Sequence, residues 1–330
     1  MIDALVLDES RGALTAKVRS VSEEALPEGD VLVSVLYSSL NYKDALAVTG
    51  EGKIVRGEYP FVPGIDLVGR VEASDAPSFA PGDLVIQTGW GLGEHQWGGY
   101  AQKMRVQSEH LVRLPENMTP EQAMIVGTAG FTAMLAVLAL EDQGLDPDAG
   151  EVLVTGASGG AGSMATAILG ALGYLVVAST GKEAAHDYLR DLGAARIVDR
   201  SAFEQGPERP MQSARWAGAV DAVGGKTLAA IIAELQRHAS VAAFGNAGGH
   251  ELHTTVFPFI LRGVNLLGID SNTCPNDRRR KAWERLDETL TDAHYERILT
   301  RVVGLQEVVG EARAMLRGNI QGRIVVDVNA

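Results

Sequence analysis

Along the front of the chain, apolar positions come in short runs, often alternating with polar ones: "DALVL" (3–7), "VLVSVLY" (31–37), "LVGRVEA" (67–73) and "DLVIQT" (83–88). Runs of this length and period predict strands. The turn signals "LPEGD", "VPGID" and "FAPGD" separate them, so a small barrel is expected. The pattern changes at "MTPEQAMIVG", where Thr119, Pro120 and Gln122 form the signature of a capping box with proline at the first helical position. From Glu151 onward strands and helices alternate: "EVLVT", "SMATAILGALG", "YLVVAS", "EAAHDYLRDLG", "ARIVD", "GAVDAV", "KTLAAIIAELQ", "SVAAFG", "VNLLGID". That rhythm predicts βαβ units and a parallel sheet. After Asp270 a basic helix ("DRRRKAWERLDETL"), a strand ("RILTRVV"), a helix ("QEVVGEARAMLRG") and a last strand ("GRIVVDV") are placed to return to the front domain.

Composition narrows the function classes. The chain has 330 residues, 46% hydrophobic and 22% charged, and a formal net charge of −13, which disfavours non-specific binding to nucleic acid. Cys274 is the sole cysteine, so no intrachain disulfide and no multi-thiolate metal site can be built, and a reducing, cytoplasmic setting is expected. The apolar run "AMIVGTAGFTAMLAVLAL" is long enough for a membrane span. Its Ala, Gly and Thr content within a globular pattern predicts a buried core helix instead, and the acidic start "MIDALVLDES" does not read as a signal peptide.

The chemistry concentrates in two stretches. In "VLVTGASGGAGSMA", Gly156, Gly159, Gly160 and Gly162 join a strand to a helix. Glycines there let the backbone approach a pyrophosphate that rests on the helix N-terminus. The next strand ends "VVASTGK": Ser179, Thr180 and Lys182 occupy the place where NAD sites carry an acid for the ribose 2′-hydroxyl. Without that acid, and with Lys182 and Arg200 as cations for a 2′-phosphate, NADPH is the expected cofactor. The second stretch is "SLNYKDALAVTG" (39–50), which sets Asn41, Tyr42, Lys43 and Asp44 side by side after a strand. A phenol keeps its proton at neutral pH and can donate it, so Tyr42 is the candidate proton donor or orienting group. Asn41 is the candidate that fixes geometry, and Asp44 reads as an ionised helix-start residue.

Taken together, "VPGIDLVGRV", "PGDLV", "GTAGFTAMLAV", "VTGASGGAGSMA", "LGAARIVD" and "GRIVVDVN" resemble the medium-chain dehydrogenase/reductase superfamily over the whole chain. "SLNYKDALAVTG", "ASTGKEAAHDYLRDLGA" and "CPNDRRRKAWERL" carry a narrower resemblance, to the zinc-free quinone-oxidoreductase group and within it the NADPH-dependent acrylyl-CoA reductases. The resemblance implies an α/β fold: a Rossmann doubly wound parallel sheet (123–270) inserted into a GroES-like β-barrel catalytic domain (1–122 and 271–330), with the substrate in the cleft between them. It implies cofactor contacts from Tyr42, Gly156, Ser158, Gly159, Gly160, Ala161, Gly162, Ser179, Thr180, Lys182, Arg200 and Asn319, no metal, and a homodimer joined along the apolar "VNLLGID" edge. Ile65 stands where zinc-dependent relatives usually carry a histidine ligand, and His250 and His253 read as loop residues.

The implied reaction is reduction of the activated C=C bond of a short enoyl thioester, acryloyl-CoA to propanoyl-CoA. An acidic protein needs local cations for an acyl-CoA, and Lys53, Arg56 and the run Arg278, Arg279, Arg280, Lys281 are the candidates. Two other functions stay open: an NADPH:quinone oxidoreductase and a non-catalytic NADPH-binding protein.

Overall fold

The computed structural model describes residues 1–10 and 12–330, and strands and helices are counted among those residues. The chain forms two compact units: 1–128 with 271–283 and 299–330, and 129–270 with 284–298.

In the first unit, β1 (Ile2–Ser10) pairs antiparallel with β2 (Ala13–Val21). The strand β2 lies outside the apolar runs read from the sequence, because its strict alternation buries only one weak face. Next come β3 (Val31–Leu40), α1 (Tyr42–Thr49), β4 (Asp66–Ser74), β5 (Leu84–Thr88), β6 (Lys103–Val106) and β7 (Val112–Arg113). The helix α1 starts at Asn41, whose extended backbone (φ −110°) is an N-cap conformation, and stops at Gly50 in the left-handed region (φ 74°).

The helix α2 (Pro120–Asp142) opens on the anticipated capping box: Gln122 N–H donates to Thr119 Oγ1 (3.2 Å) and Thr119 N–H to Gln122 Oε1 (2.8 Å). It is the one helix among the described residues long and apolar enough to cross a membrane, and 89% of its apolar window is buried inside the protein. Gly127 breaks its regularity with φ 48° and ψ −160°.

The second unit contains β8 (Glu151–Val154), α3 (Gly160–Ala171), β9 (Leu175–Thr180), α4 (His186–Asp191), β10 (Ala194–Asp199), α5 (Ser201–Glu204), β11 (Trp216–Asp221), α6 (Gly225–Glu234), β12 (Leu235–Ala243), α7 (Phe257–Arg262) and β13 (Asn265–Gly268). All the sheet pairings are parallel, in the order β10-β9-β8-β11-β12-β13. This is the doubly wound order, whose reversal between β8 and β11 places a crevice at the strands' carboxyl ends. Val152, Leu153, Val154, Val176, Val177 and Ala178 are wholly buried, as expected for strands covered on both faces. The strand β12 starts earlier than its apolar run suggests. It pairs Leu235 with Trp216, bulges out, and resumes at Ser240 opposite Gly218.

The chain closes with α8 (Asn276–Thr289), α9 (Asp292–Ile298), β14 (Leu299–Gly304), α10 (Val308–Leu316) and β15 (Arg323–Asp327). In the first unit β15 lies between β14 and β3, in a sheet ordered β14-β15-β3-β4-β5-β7 with β6 also on β3. Its core is packed from Leu5, Val33, Phe61, Leu67, Tyr100 and Ile324 among others. Each fully buried aliphatic or aromatic side chain there contributes roughly 1.5–3 kcal/mol.

Candidate active site

The glycine turn follows β8. Gly156 has φ 59°, a region that favours glycine, and a Cβ on Gly162 would lie 2.2 Å from the Gly156 carbonyl oxygen. The turn therefore closes this tightly only with glycine at both positions. Gly159 is the N-cap of α3 and offers no side chain to its first amides. Those N–H groups, from the turn through Gly160, Ala161 and Gly162, form the cradle that a pyrophosphate fits. Behind the turn, Asp221 at the end of β11 accepts from Thr155 Oγ1 (2.6 Å), Gly224 N–H (2.8 Å) and Val223 N–H (3.3 Å). Burial pushes its carboxyl up. This brace ties β8 to β11 at the topological switch. An acid within the apolar "GAVDAV" was its only trace in the sequence.

At the end of β9 the structure brings five sequence candidates together. Ser158 and Thr180 share a hydroxyl hydrogen bond (3.1 Å), and Ser179 is buried. The Arg200 N–H donates to the Thr180 carbonyl (3.2 Å), and a Cβ on Gly181 would meet Arg200 Nε at 2.6 Å. Arg200 thus folds back beside Lys182, whose amine is held below its usual range by burial and then by the Arg200 charge. Arg200 also pairs with Glu204 (2.9 Å). Two cations converging where an acid is missing, above a glycine cradle, fit a phosphorylated ribose and hence NADPH.

The other candidates lie in the first unit. Tyr42, the first residue of α1, is 53% exposed, so its phenol is presented to solvent. Lys43 next to it pairs with Glu94 (2.8 Å). Asn319 is exposed in the turn after α10, its N–H donating to the Ala314 carbonyl (3.0 Å).

Asn41 is buried. Its Nδ2 lies within hydrogen-bonding distance of Asp66 Oδ2 (2.8 Å), Asp44 Oδ2 (3.1 Å) and Ser39 Oγ (3.1 Å), and its Oδ1 accepts from Arg323 Nη1 (3.1 Å). Both ends of the amide are committed within the protein, so Asn41 fixes the corner under Tyr42 instead of donating outward. Asp66 collects Ser39 Oγ (2.6 Å), Thr128 N–H (2.9 Å) and Thr128 Oγ1 (2.6 Å) as well. Arg323 also donates to Ser39 Oγ (2.9 Å), the Ile125 carbonyl (3.0 Å) and the Leu40 carbonyl (3.3 Å).

The reading of Asp44 as an ionised helix-start residue misses its burial. It does cap α1, accepting the Asn41 N–H at 2.9 Å, but it is 1% exposed. Burial, and then the neighbouring Asp66 charge, lift its carboxyl to about 7. The basic run needs correction too. Arg279 is buried and donates to Thr88, Ser271, Asn272 and Cys274, so it is not an open cation for an acyl-CoA, whereas Arg280 is exposed and pairs with Asp277 at the surface. Lys53, Arg56 and Lys281 are exposed.

Among the described residues no group of three or more His, Cys, Asp or Glu side chains is arranged to hold a metal ion. His250 and His253 are exposed.

Comparison with known proteins agrees with this architecture. The family model described as alcohol dehydrogenase GroES-like domain matches residues 27–116, and that described as zinc-binding dehydrogenase matches residues 160–288. The chain is 52% identical to the acrylyl-CoA reductase AcuI of Ruegeria pomeroyi, over all of both chains. The structure of Escherichia coli K-12 YhdH with bound NADPH is 50% identical, covers 99% of this chain and 100% of its own, and superposes with a TM-score of 0.95. Bacillus subtilis YhfP, solved with NAD bound, is 45% identical with a TM-score of 0.95 and 99% coverage of each chain. The chain therefore belongs to the medium-chain dehydrogenase/reductase superfamily, among the relatives of AcuI.

Proposed function

We propose that the protein is an NADPH-dependent reductase of the activated C=C bond of a short enoyl thioester, converting acryloyl-CoA to propanoyl-CoA. The observation that carries the cofactor half is the pairing of Lys182 with Arg200 beside Thr180, with no acid at the end of β9. The substrate half rests on the full-length similarity to an acrylyl-CoA reductase.

NADPH held by the glycine turn and by Lys182 and Arg200 would supply the hydride for the β-carbon. As it arrives, the thioester oxygen gains negative charge, and a hydrogen-bond donor placed there stabilises the developing charge. Tyr42 is the donor we assign to this task and to delivery of the α-carbon proton. Its phenol is exposed at the start of α1, and a positioned general acid contributes about 10²- to 10⁴-fold. Asn41 holds the turn that carries it. Lys53 and Arg56, exposed in the segment after α1, are cations for the phosphates of coenzyme A.

Assembly as a homodimer in the cytoplasm belongs to the same reading. The strand β13 ends the sheet order, and Leu266 on it is 38% exposed. Nearby in sequence, Val256, Phe257, Ile260 and Leu261 around α7 are 47–68% exposed. An apolar edge with such neighbours suits a twin across a two-fold axis.

The test is NADPH oxidation followed with acryloyl-CoA, crotonyl-CoA and a simple quinone side by side. Acryloyl-CoA should give by far the largest kcat/KM. A quinone matching or exceeding it would replace this reading with that of a quinone oxidoreductase.

A further inference from the structure

Three N–H donors converge on Asp44. Its Oδ2 accepts from the Asn41 backbone (2.9 Å) and from Asn41 Nδ2 (3.1 Å), and its Oδ1 accepts from the Ile65 backbone (2.9 Å). Such a set matches a carboxylate without a proton. A proton on Oδ2 would face two donors already aimed at it, and one on Oδ1 would face the third. The charged and titratable groups around Asp44 are Asp66 from β4, Arg323 from β15 and Tyr100 from the segment before β6. Arg323 spends its hydrogen bonds on Ser39, Asn41 and two carbonyls, so one guanidinium serves a cluster of two carboxyl groups.

Tyr100 adds a moving part. Its hydroxyl donates to the Ser39 carbonyl (3.0 Å), and it is buried near Asp44, whose charge helps to push the phenol up after burial itself. With a single proton, the hydroxyl donates to only one of them at a time. When Asp44 is ionised, Tyr100 can turn to it. When Asp44 is protonated, its own O–H donates to Tyr100, and the Tyr100 proton stays on Ser39.

We propose that Asp44 is a positioning residue for the reaction: ionised, it pins the Asn41–Tyr42 corner, and on taking up a proton it loosens that corner, with the Tyr100 hydroxyl changing partner as it does so. This rests on the reading of Tyr42 as the group that meets the substrate. Asp44 itself is buried and touches no substrate. The lift of its carboxyl to about 7 puts the change inside the range where turnover is measured.

The experiment compares wild type with Asp44→Asn, Tyr100→Phe and Tyr42→Phe. The kcat and KM with NADPH and acryloyl-CoA are measured across the neutral range. Hydrogen exchange of the backbone at residues 41–45 and 64–66 is followed in parallel, corrected for intrinsic rates. Wild-type kcat should climb as pH passes about 7, and protection of the Asn41 and Ile65 amides should climb with it. Asp44→Asn should lower kcat about tenfold at alkaline pH, flatten both curves and leave KM within about twofold. Tyr100→Phe should move both steps to higher pH, because the carboxylate loses a donor.

Wild-type curves in Asp44→Asn would overturn the proposal. Should that variant not fold, unmoved steps in Tyr100→Phe would overturn it. Full kcat in Tyr42→Phe, or no turnover of acryloyl-CoA, removes the reading of the site and not the lock. The exchange step then decides, and its absence in wild type overturns the proposal.

Discussion

Replacing Gly127 by alanine tests the buried cluster where it is tightest. The backbone there has φ 48° and ψ −160°, a region open to little besides glycine, so a side chain costs about 1–3 kcal/mol in strain alone. The new Cβ would also lie 2.6 Å from Arg323 Nη2, 2.6 Å from Asp66 Oδ2 and 2.9 Å from Ser39 Oγ. All three partners are held by the cluster, so at least one charge-assisted hydrogen bond must break, at a further 1.5–3 kcal/mol or so. The expected loss is about 3–6 kcal/mol. At roughly 2–4 °C per kcal/mol for units of this size, the melting temperature should fall by about 6–24 °C. Scanning calorimetry is the assay, with Gly310→Ala as its counterpart. Gly310 sits inside α10 with no atom within 4 Å of its prospective Cβ, so alanine should stabilise by about 0.5–1 kcal/mol. If Gly127→Ala melts within about 2 °C of wild type, the cluster is not rigid and the reasoning fails.

Removing both cations at the end of β9, Lys182→Ala with Arg200→Ala, should raise KM for NADPH by about 10- to 100-fold and leave NADH within about twofold; equal losses for both cofactors would refute the 2′-phosphate assignment. Asp44 should also mark the pH dependence of stability. Its carboxyl lies near 7 in the folded chain against 3.8 for the ordinary group. The native state therefore binds the extra proton, and stability falls as pH rises through that window, levelling off above it. Urea unfolding should show Asp44→Asn gaining on wild type by roughly 3 kcal/mol between pH 5 and pH 8, and parallel curves would contradict the burial argument. Placing acids on the exposed edge, Ile260→Glu with Leu266→Asp, should halve the mass seen by light scattering; an unchanged mass would move the interface elsewhere.

The parts of the fold that follow from local pattern were legible in the sequence. The Thr119–Gln122 box, the glycine turn and the strand–helix alternation after Glu151 each depend on residues a few positions apart. That Lys182 and Arg200 meet beside Thr180 was legible too, because the cue was a missing acid at a fixed offset. Legibility stopped where partners lie far apart in the chain. Asp44 reads locally as a cap, and it is one. Its lifted carboxyl comes from burial by distant parts of the first unit and from the Asp66 charge on β4, and "SLNYKD" carries no sign of them. Arg279 misled for the same reason. Within "DRRRK" it looks like its neighbours, and only the carbonyls of residues 88, 271, 272 and 274 make it a core residue. An acid or arginine set in an apolar run, such as Asp66 in "GIDLVG" or Arg323 in "GRIVVD", was the signal available for a buried pair.

Arg323 belongs to the last strand, and that strand runs between β14 and β3. During synthesis the front of the chain therefore leaves the ribosome with Asp44 and Asp66 lacking their counter-charge and with one flank of β3 bare. At about 5–20 residues per second, roughly fifteen to fifty-five seconds separate the Asn41 turn from the arginine that completes it. The inserted nucleotide-binding unit has time to fold first, while the barrel waits for its final stave.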